Sequence, residues 1–231
     1  MNKKEPPLAR FIRLSHEKDK NLWRNNLILF ITLLIMILVE PILHLKGDLY
    51  SRLLLATVVI SGVYAAEYKK RTFTLLFLLA MLVVISFLME FIFPGSDLFR
   101  IAGFLLTILS LILSTVAIVT HVAQASSPER STIFCAINGY LLIGLTGAIL
   151  MFIASIIDPA SFRGFEGDSN FSNFIYLSFV TLSTLGYGDI TPVTPLARSV
   201  SVFTALAGQL YLVINMALLI GKYLNTRNQP N

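Results

Sequence analysis

The sequence predicts an all-α membrane protein of six transmembrane helices plus one short segment that re-enters the membrane from a single side. Three observations carry this. Hydrophobic residues make up 55% of the 231 and charged residues only 13%, with a mean hydropathy of +0.76, far from the balance of a soluble domain. Six long apolar runs are separated by short polar stretches, and one further apolar run is too short to cross. A chain of this length is filled by such spans, leaving no room for a large soluble appendage.

Residues 1–24 hold seven lysines and arginines, and Pro6-Pro7 within them marks a basic tail expected to be partly disordered. The apolar run that follows lacks a small-residue cleavage site at its end, so it is expected to stay as an anchor. The spans are read as Leu27–Leu45, Leu53–Ala66, Phe73–Phe93, Ile101–Thr120, Thr132–Ile157 and Leu196–Leu224, the second short unless Leu49 and Tyr50 extend it. Between the fifth and sixth, Phe171–Ser183 would cover only about 20 Å as a helix, too little to cross. Ser127-Pro128-Glu129 and Thr194-Pro195 have helix-start chemistry, a capping hydroxyl followed by proline at the first helical position. Trp23, Tyr50, Tyr64 and Tyr68 fall near span ends, where amphipathic rings settle at the interface, and His44 and His121 fall there too. The single cysteine, Cys135, excludes an intrachain disulfide and reads as a buried thiol.

Thirteen of the eighteen lysines and arginines lie on one face of this six-span arrangement; Lys46, Arg52, Arg100, Arg163 and Arg198 lie on the other. Both termini are therefore expected to be cytoplasmic. The asymmetry accounts for the net charge of +5, and nucleic acid is excluded as a partner because no soluble basic surface exists to hold it.

The most informative stretch is residues 181–192, TLSTLGYGDITP. Residues 171–183 descend part-way, and 184–189 must return without helical hydrogen bonds, which lipid does not tolerate unless the backbone is buried in protein or lines water. Glycines at 186 and 188 permit positive φ, so consecutive carbonyls can turn toward one axis as a ladder of oxygens. Such oxygens can replace the water around a monovalent cation. One strip cannot encircle an ion; four related strips can.

Thr184-Leu185-Gly186-Tyr187-Gly188-Asp189 resembles the selectivity-filter signature of tetrameric potassium channels, whose usual second residue is valine. A short apolar helix precedes the motif, and Gly208 follows Asp189 by 19 residues, where bacterial members have a hinge glycine. The resemblance spans about 132–224. It implies a homotetramer passing K+ passively, with carbonyls of Thr184, Leu185, Gly186 and Tyr187 and the Thr184 hydroxyl as ion ligands, and Gly188 completing the strip. It also implies that Tyr187 points away from the axis and packs on the pore helix, with Asp189, Tyr176 and Val180 as filter support. The pore helix would end at Ser183 with the negative end of its dipole toward the ion cavity. By the same resemblance the regions are a basic segment 1–24, a four-helix peripheral domain 25–126, a pore domain 127–224 and a short tail 225–231. The membrane is expected to be a prokaryotic plasma membrane, with lipids as neighbours and no cofactor beyond the permeant K+.

The pore helix departs from the family at two places. Tyr176-Leu177 stands where many members carry two tryptophans, and Val180 where one bacterial member carries a glutamate that braces the filter aspartate, so bracing is expected to be weaker or different. In the last span the resemblance puts Gln209, Leu212, Met216 and Ile220 on the cavity face, with Asn215 about 120° away from Gln209. Gly208 reads equally as a hinge or as a close-packing position, whereas Gly144 and Gly147 read as packing.

Asp158, Glu166 and Asp168 against Arg163 give the segment 158–170 a negative balance that would concentrate cations at the entrance. Glu40, before Pro41, and Glu90 lie near span ends and are expected to reach the interface or pair with Arg100 or Arg52, with proton or cation sensing as the alternative. The fourth span contains no lysine or arginine, so no working voltage sensor is expected. Only nine residues follow Lys222, so gating by a cytoplasmic ligand-binding appendage is not expected. A secondary transporter would show repeated halves, and an enzyme would show a catalytic or ligand cluster; neither pattern is present in the sequence. A weakly selective cation channel and a non-conducting accessory subunit are the remaining alternatives.

Overall fold

The computed structural model describes residues 7–43, 48–66, 70–93, 96–125, 130–165 and 170–227. Helix α1 runs Pro7–Leu38, α2 Glu40–Leu43, α3 Asp48–Ala65, α4 Lys70–Ile92, α5 Asp97–Gln124, α6 Arg130–Ile157, α7 Phe171–Leu182 and α8 Pro195–Arg227. The expectation of a partly disordered tail is corrected from Pro7 onward. That proline is the first helical residue, where its missing N–H is no loss, and the backbone then continues as helix into the first span. Near the other end, Val39 is a turn between α1 and α2, because Pro41 cannot donate back into the helix that would otherwise continue.

Among the described residues, five helical stretches are long and apolar enough to cross a membrane: Asn21–Ile42, Thr72–Ile92, Leu98–Gln124, Arg130–Ile157 and Pro195–Leu224. The second expected span falls in α3, whose apolar part, Tyr50–Ala65, is shorter. At 18 residues α3 is about 27 Å long, just under the hydrocarbon thickness of about 30 Å. Trp23 lies near the start of the first apolar stretch rather than at a helix end, while Tyr50 and Tyr64 lie in the first and last turns of α3. His44, Tyr68 and the Ser127-Pro128-Glu129 cap lie outside the described residues.

Helix α6 is the hub, packing against α1, α5, α7 and α8, while α4 touches only α3 and α5 extensively. Its small residues explain the position. A Cβ on Gly144 would stand 2.5 Å from the Phe179 ring, and one on Gly147 would stand 2.5 Å from Thr204, so α7 and α8 approach because those side chains are absent. The main core joins Leu29 and Leu33 of α1, Val58 of α3, Leu76 of α4, Leu111 of α5 and Leu145 of α6. Cys135 is buried within it.

Polar side chains tie the helices together across this apolar packing. Asn138 of α6 donates to the backbone carbonyl of Asn26 at 2.8 Å, and both residues are fully buried. Thr32 and Ser61 bond at 2.9 Å, and the Tyr211 hydroxyl donates to the Ala136 carbonyl at 2.8 Å. Such bonds average about 0.6 kcal/mol in membrane helices, so they fix register more than they stabilise. At the end of the bundle where α5 and α8 finish, Lys222 of α8 donates to the last-turn carbonyls of α5, Val122 and, at 3.1 Å, Ala123. A cation there satisfies acceptors that the helix itself leaves open.

Candidate functional site

The short helix α7 is held on α6 by one buried bond, from the Ser178 hydroxyl to the Gly144 carbonyl at 2.6 Å. Twelve residues long, it stops where the backbone changes hand: among residues 183–189, Thr184 has φ 61°, Gly186 φ 54° and Gly188 φ 77°. Left-handed residues therefore alternate with Leu185 and Tyr187, which do not have positive φ. Alternation of this kind keeps successive carbonyls on one side, where an ordinary strand would send them to opposite sides. Glycine adopts the conformation freely. Threonine, β-branched, adopts it against a steric penalty of about 1–3 kcal/mol, and sequence reasoning, which looked to the glycines, missed this position.

The start of the strip is pinned by the end of α7. The amides of Leu185 and Gly186 both donate to the Val180 carbonyl, at 3.0 and 3.2 Å, and Thr184 donates to Thr181 at 3.1 Å. Val180 thus supports the strip through its backbone. The far end is pinned through side chains: the Tyr176 hydroxyl donates to Asp189 Oδ2 at 2.6 Å. That bond holds the Asp189 carboxyl below its ordinary 3.8 and pushes Tyr176 up to about 12.

A second clamp, not legible beforehand, comes from the segment after α6. Asp158 accepts from the Ala160 amide, starting a turn at Pro159–Ser161, and Phe162–Arg163 (β1) then pairs antiparallel with Thr191–Pro192 (β2). Buried Ser161 accepts from the Val193 amide at 2.8 Å through its carbonyl and from the Thr194 hydroxyl at 3.2 Å through its own. Thr194 in turn caps α8, accepting from the Ala197 amide at 3.3 Å. Gly164, at φ 101°, lies so close to the strip that a Cβ would meet the Asp189 carbonyl oxygen at 1.8 Å. Glu166 and Asp168, expected to charge this segment, lie outside the described residues.

Residues 183–189 are all exposed in the single chain, Tyr187 to 68%. The packing face of α7, Phe174, Leu177 and Ser178, is turned toward α6 and the loop. Beneath the strip, Leu182 is fully buried, and its carbonyl accepts from Tyr140 at 3.3 Å and from Gln209 at 3.4 Å. Gly208 sits against it: a Cβ there would be 2.3 Å from the Leu182 side chain, so this glycine is a close-packing position in the structure. Gln209, Leu212, Met216 and Ile220 lie on a face of α8 that the chain leaves exposed, whereas Asn215 is buried and donates to the Tyr211 carbonyl.

Residues 139–224, from the middle of α6 to near the end of α8, match the family described as ion channel. The two pore potassium channel c of Oryza sativa subsp. japonica is 37% identical over 76 residues, which is 32% of this chain. These matches support a potassium channel family. The chain spans about 15% of the length of that relative, and no solved structure matches. With apolar helices long enough to span and a segment that matches an ion channel family, the chain is an integral membrane protein. The matched segment contains α7, the 184–189 strip and nearly all of α8; α1–α5 lie outside it.

Proposed function

We propose that the chain is a subunit of a potassium-selective channel, conducting K+ passively through a homotetrameric pore built from the 184–189 strip. The observation that carries this reading is the alternation of left-handed residues at 184, 186 and 188 in a segment that its own chain leaves uncovered. Four such strips around an axis present rings of carbonyl oxygens spaced to replace a hydration shell. Thr184, Leu185, Gly186 and Tyr187 supply those oxygens. Each subunit crosses six times, α3 included, with both termini cytoplasmic, and Gln209, Leu212, Met216 and Ile220 line the water-filled vestibule below.

Reconstitution of the purified chain alone tests this. Potassium and rubidium should permeate far better than sodium, barium should block, and crosslinking should reach a four-chain species. Equal potassium and sodium permeability in intact tetramers would overturn the assignment, as would crosslinking that stops at dimers.

A further inference from the structure

A cavity of about 330 Å³ lies between α3, α5, α6 and the start of α7, at the end of the bundle that carries the turn after α6. Its lining carries two guanidinium groups, Arg52 of α3 and Arg100 of α5. Among the described residues, no carboxylate lines it. Ser155 and Asn170 add polar groups, and the Phe104 and Phe171 rings form an apolar side.

Two acids stand behind this wall rather than in it. Glu90 bonds Arg52 at 2.6 Å, and Glu40 accepts from the Ser51 hydroxyl at 2.6 Å. Glu90 offsets part of the Arg52 charge and fixes the orientation of its guanidinium, which has donors to spare and keeps 19% of its surface open. Recognition in the cavity therefore rests on directed N–H groups more than on net charge. That favours an oxyanion able to accept several hydrogen bonds over a halide. Asn170 and Phe171 are the cap and first residue of α7, and the Asn170 side chain makes no capping bond, so the positive end of this 12-residue helix adjoins the cavity as well.

We propose that this cavity binds a phosphate-type oxyanion between Arg52, Arg100 and the N-terminus of α7. Two sources share that chemistry: free phosphate, and the headgroup of a lipid whose chains run along the phenylalanine side.

The full chain, purified in detergent and stripped of lipid, tests this in two arms. Thermal unfolding is followed against inorganic phosphate, and native mass spectrometry counts bound phosphatidylglycerol beside a diacylglycerol of the same chains, which lacks the phosphate. Binding of inorganic phosphate identifies the free anion; retention of phosphatidylglycerol but not diacylglycerol identifies the headgroup. In either arm R100Q should weaken binding at least tenfold, and so should R52Q/E90Q, which removes the pair together so that no acid is left stranded. R100K, which keeps the charge and loses the fork, should fall between and covers the case in which R100Q does not fold; R198Q, on exposed α8, should bind as wild type. Equal retention of the two lipids with no phosphate effect would overturn the proposal, as would arginine variants that bind like wild type. None of these readouts depends on ion conduction.

Discussion

The charged side chains of α1–α5 and the irregular backbone among α6–α8 are held in opposite ways. In the peripheral helices the charged ones are side chains joined to side chains near one end of the bundle, Glu90 to Arg52 and Glu40 to Ser51, and the middle of α5 carries no lysine or arginine at all. In α6–α8 the bonds run from side chains to backbone, at Ser178, Tyr140, Gln209, Tyr211 and Ser161, and converge around a strip that has no helical bonds of its own. The first arrangement seals charge at a helix end; the second holds irregular backbone in place. Irregular backbone at membrane depth must be buried in protein or line water, and this strip lies inside the segment that matches the ion channel family.

The largest expected effect comes from breaking the backbone clamp. G164A would force a Cβ into the Asp189 carbonyl and hold alanine at φ 101°, an expected destabilisation of ~3 kcal/mol or more. Thermal unfolding and the yield of assembled protein would register it, and wild-type behaviour would mean that the loop does not clamp the strip. On the peripheral side, R52Q takes away the 2.6 Å ion pair of nearly buried Glu90 and should lower stability by ~3 kcal/mol, whereas R52Q/E90Q should recover most of that loss. If the double variant were as unstable as the single, the pair would not be the feature that matters.

A smaller effect is expected from Y176F. Asp189 is depressed below 3.8 by the Tyr176 bond, so its contribution is present above that pH and is lost as the pH falls through the lowered value. Tyr176 is raised from 10.0 to about 12, so its contribution is complete below pH 10.0 and disappears as the pH climbs toward 12. The stability difference between wild type and Y176F should be flat between these limits and shrink outside them; a slope near neutral pH would assign the contact elsewhere. Smallest of all should be the effect of R100Q on voltage dependence. With no repeated charge to move through the field, the conductance–voltage relation should be shallow in wild type and unchanged in the variant, and a steep curve abolished by R100Q would restore a sensor to the peripheral helices.

Several of these features were legible in the sequence because they are local. The length of 171–183 announces a segment that cannot cross, Thr194-Pro195 announces a helix start, and paired glycines announce unusual backbone. The left-handed Thr184 was not legible, since a β-branched residue gives no hint of positive φ; only the tertiary bonds on either side hold it there. Gly164 is a lone glycine in a loop, and its role appears only when residue 189, distant in sequence, is brought against it. The Asn26–Asn138 pair was equally hidden, because periodicity shows which face of a helix is buried but not which distant residue meets it. The span over 53–66 was legible as short, and remains so as α3.

The grip of Lys222 on the end of α5 has a mechanical consequence. Helix α8 is otherwise only lightly engaged with α5, so among the described residues this side chain is a direct tether between the two helices at that end, beside the indirect path through α6. A sideways swing of α8 by more than an ångström or two stretches the bonds to Val122 and Ala123 beyond reach and bares both carbonyls. Either α5 travels with α8 as a passive outrigger, or the tether parts before the swing begins.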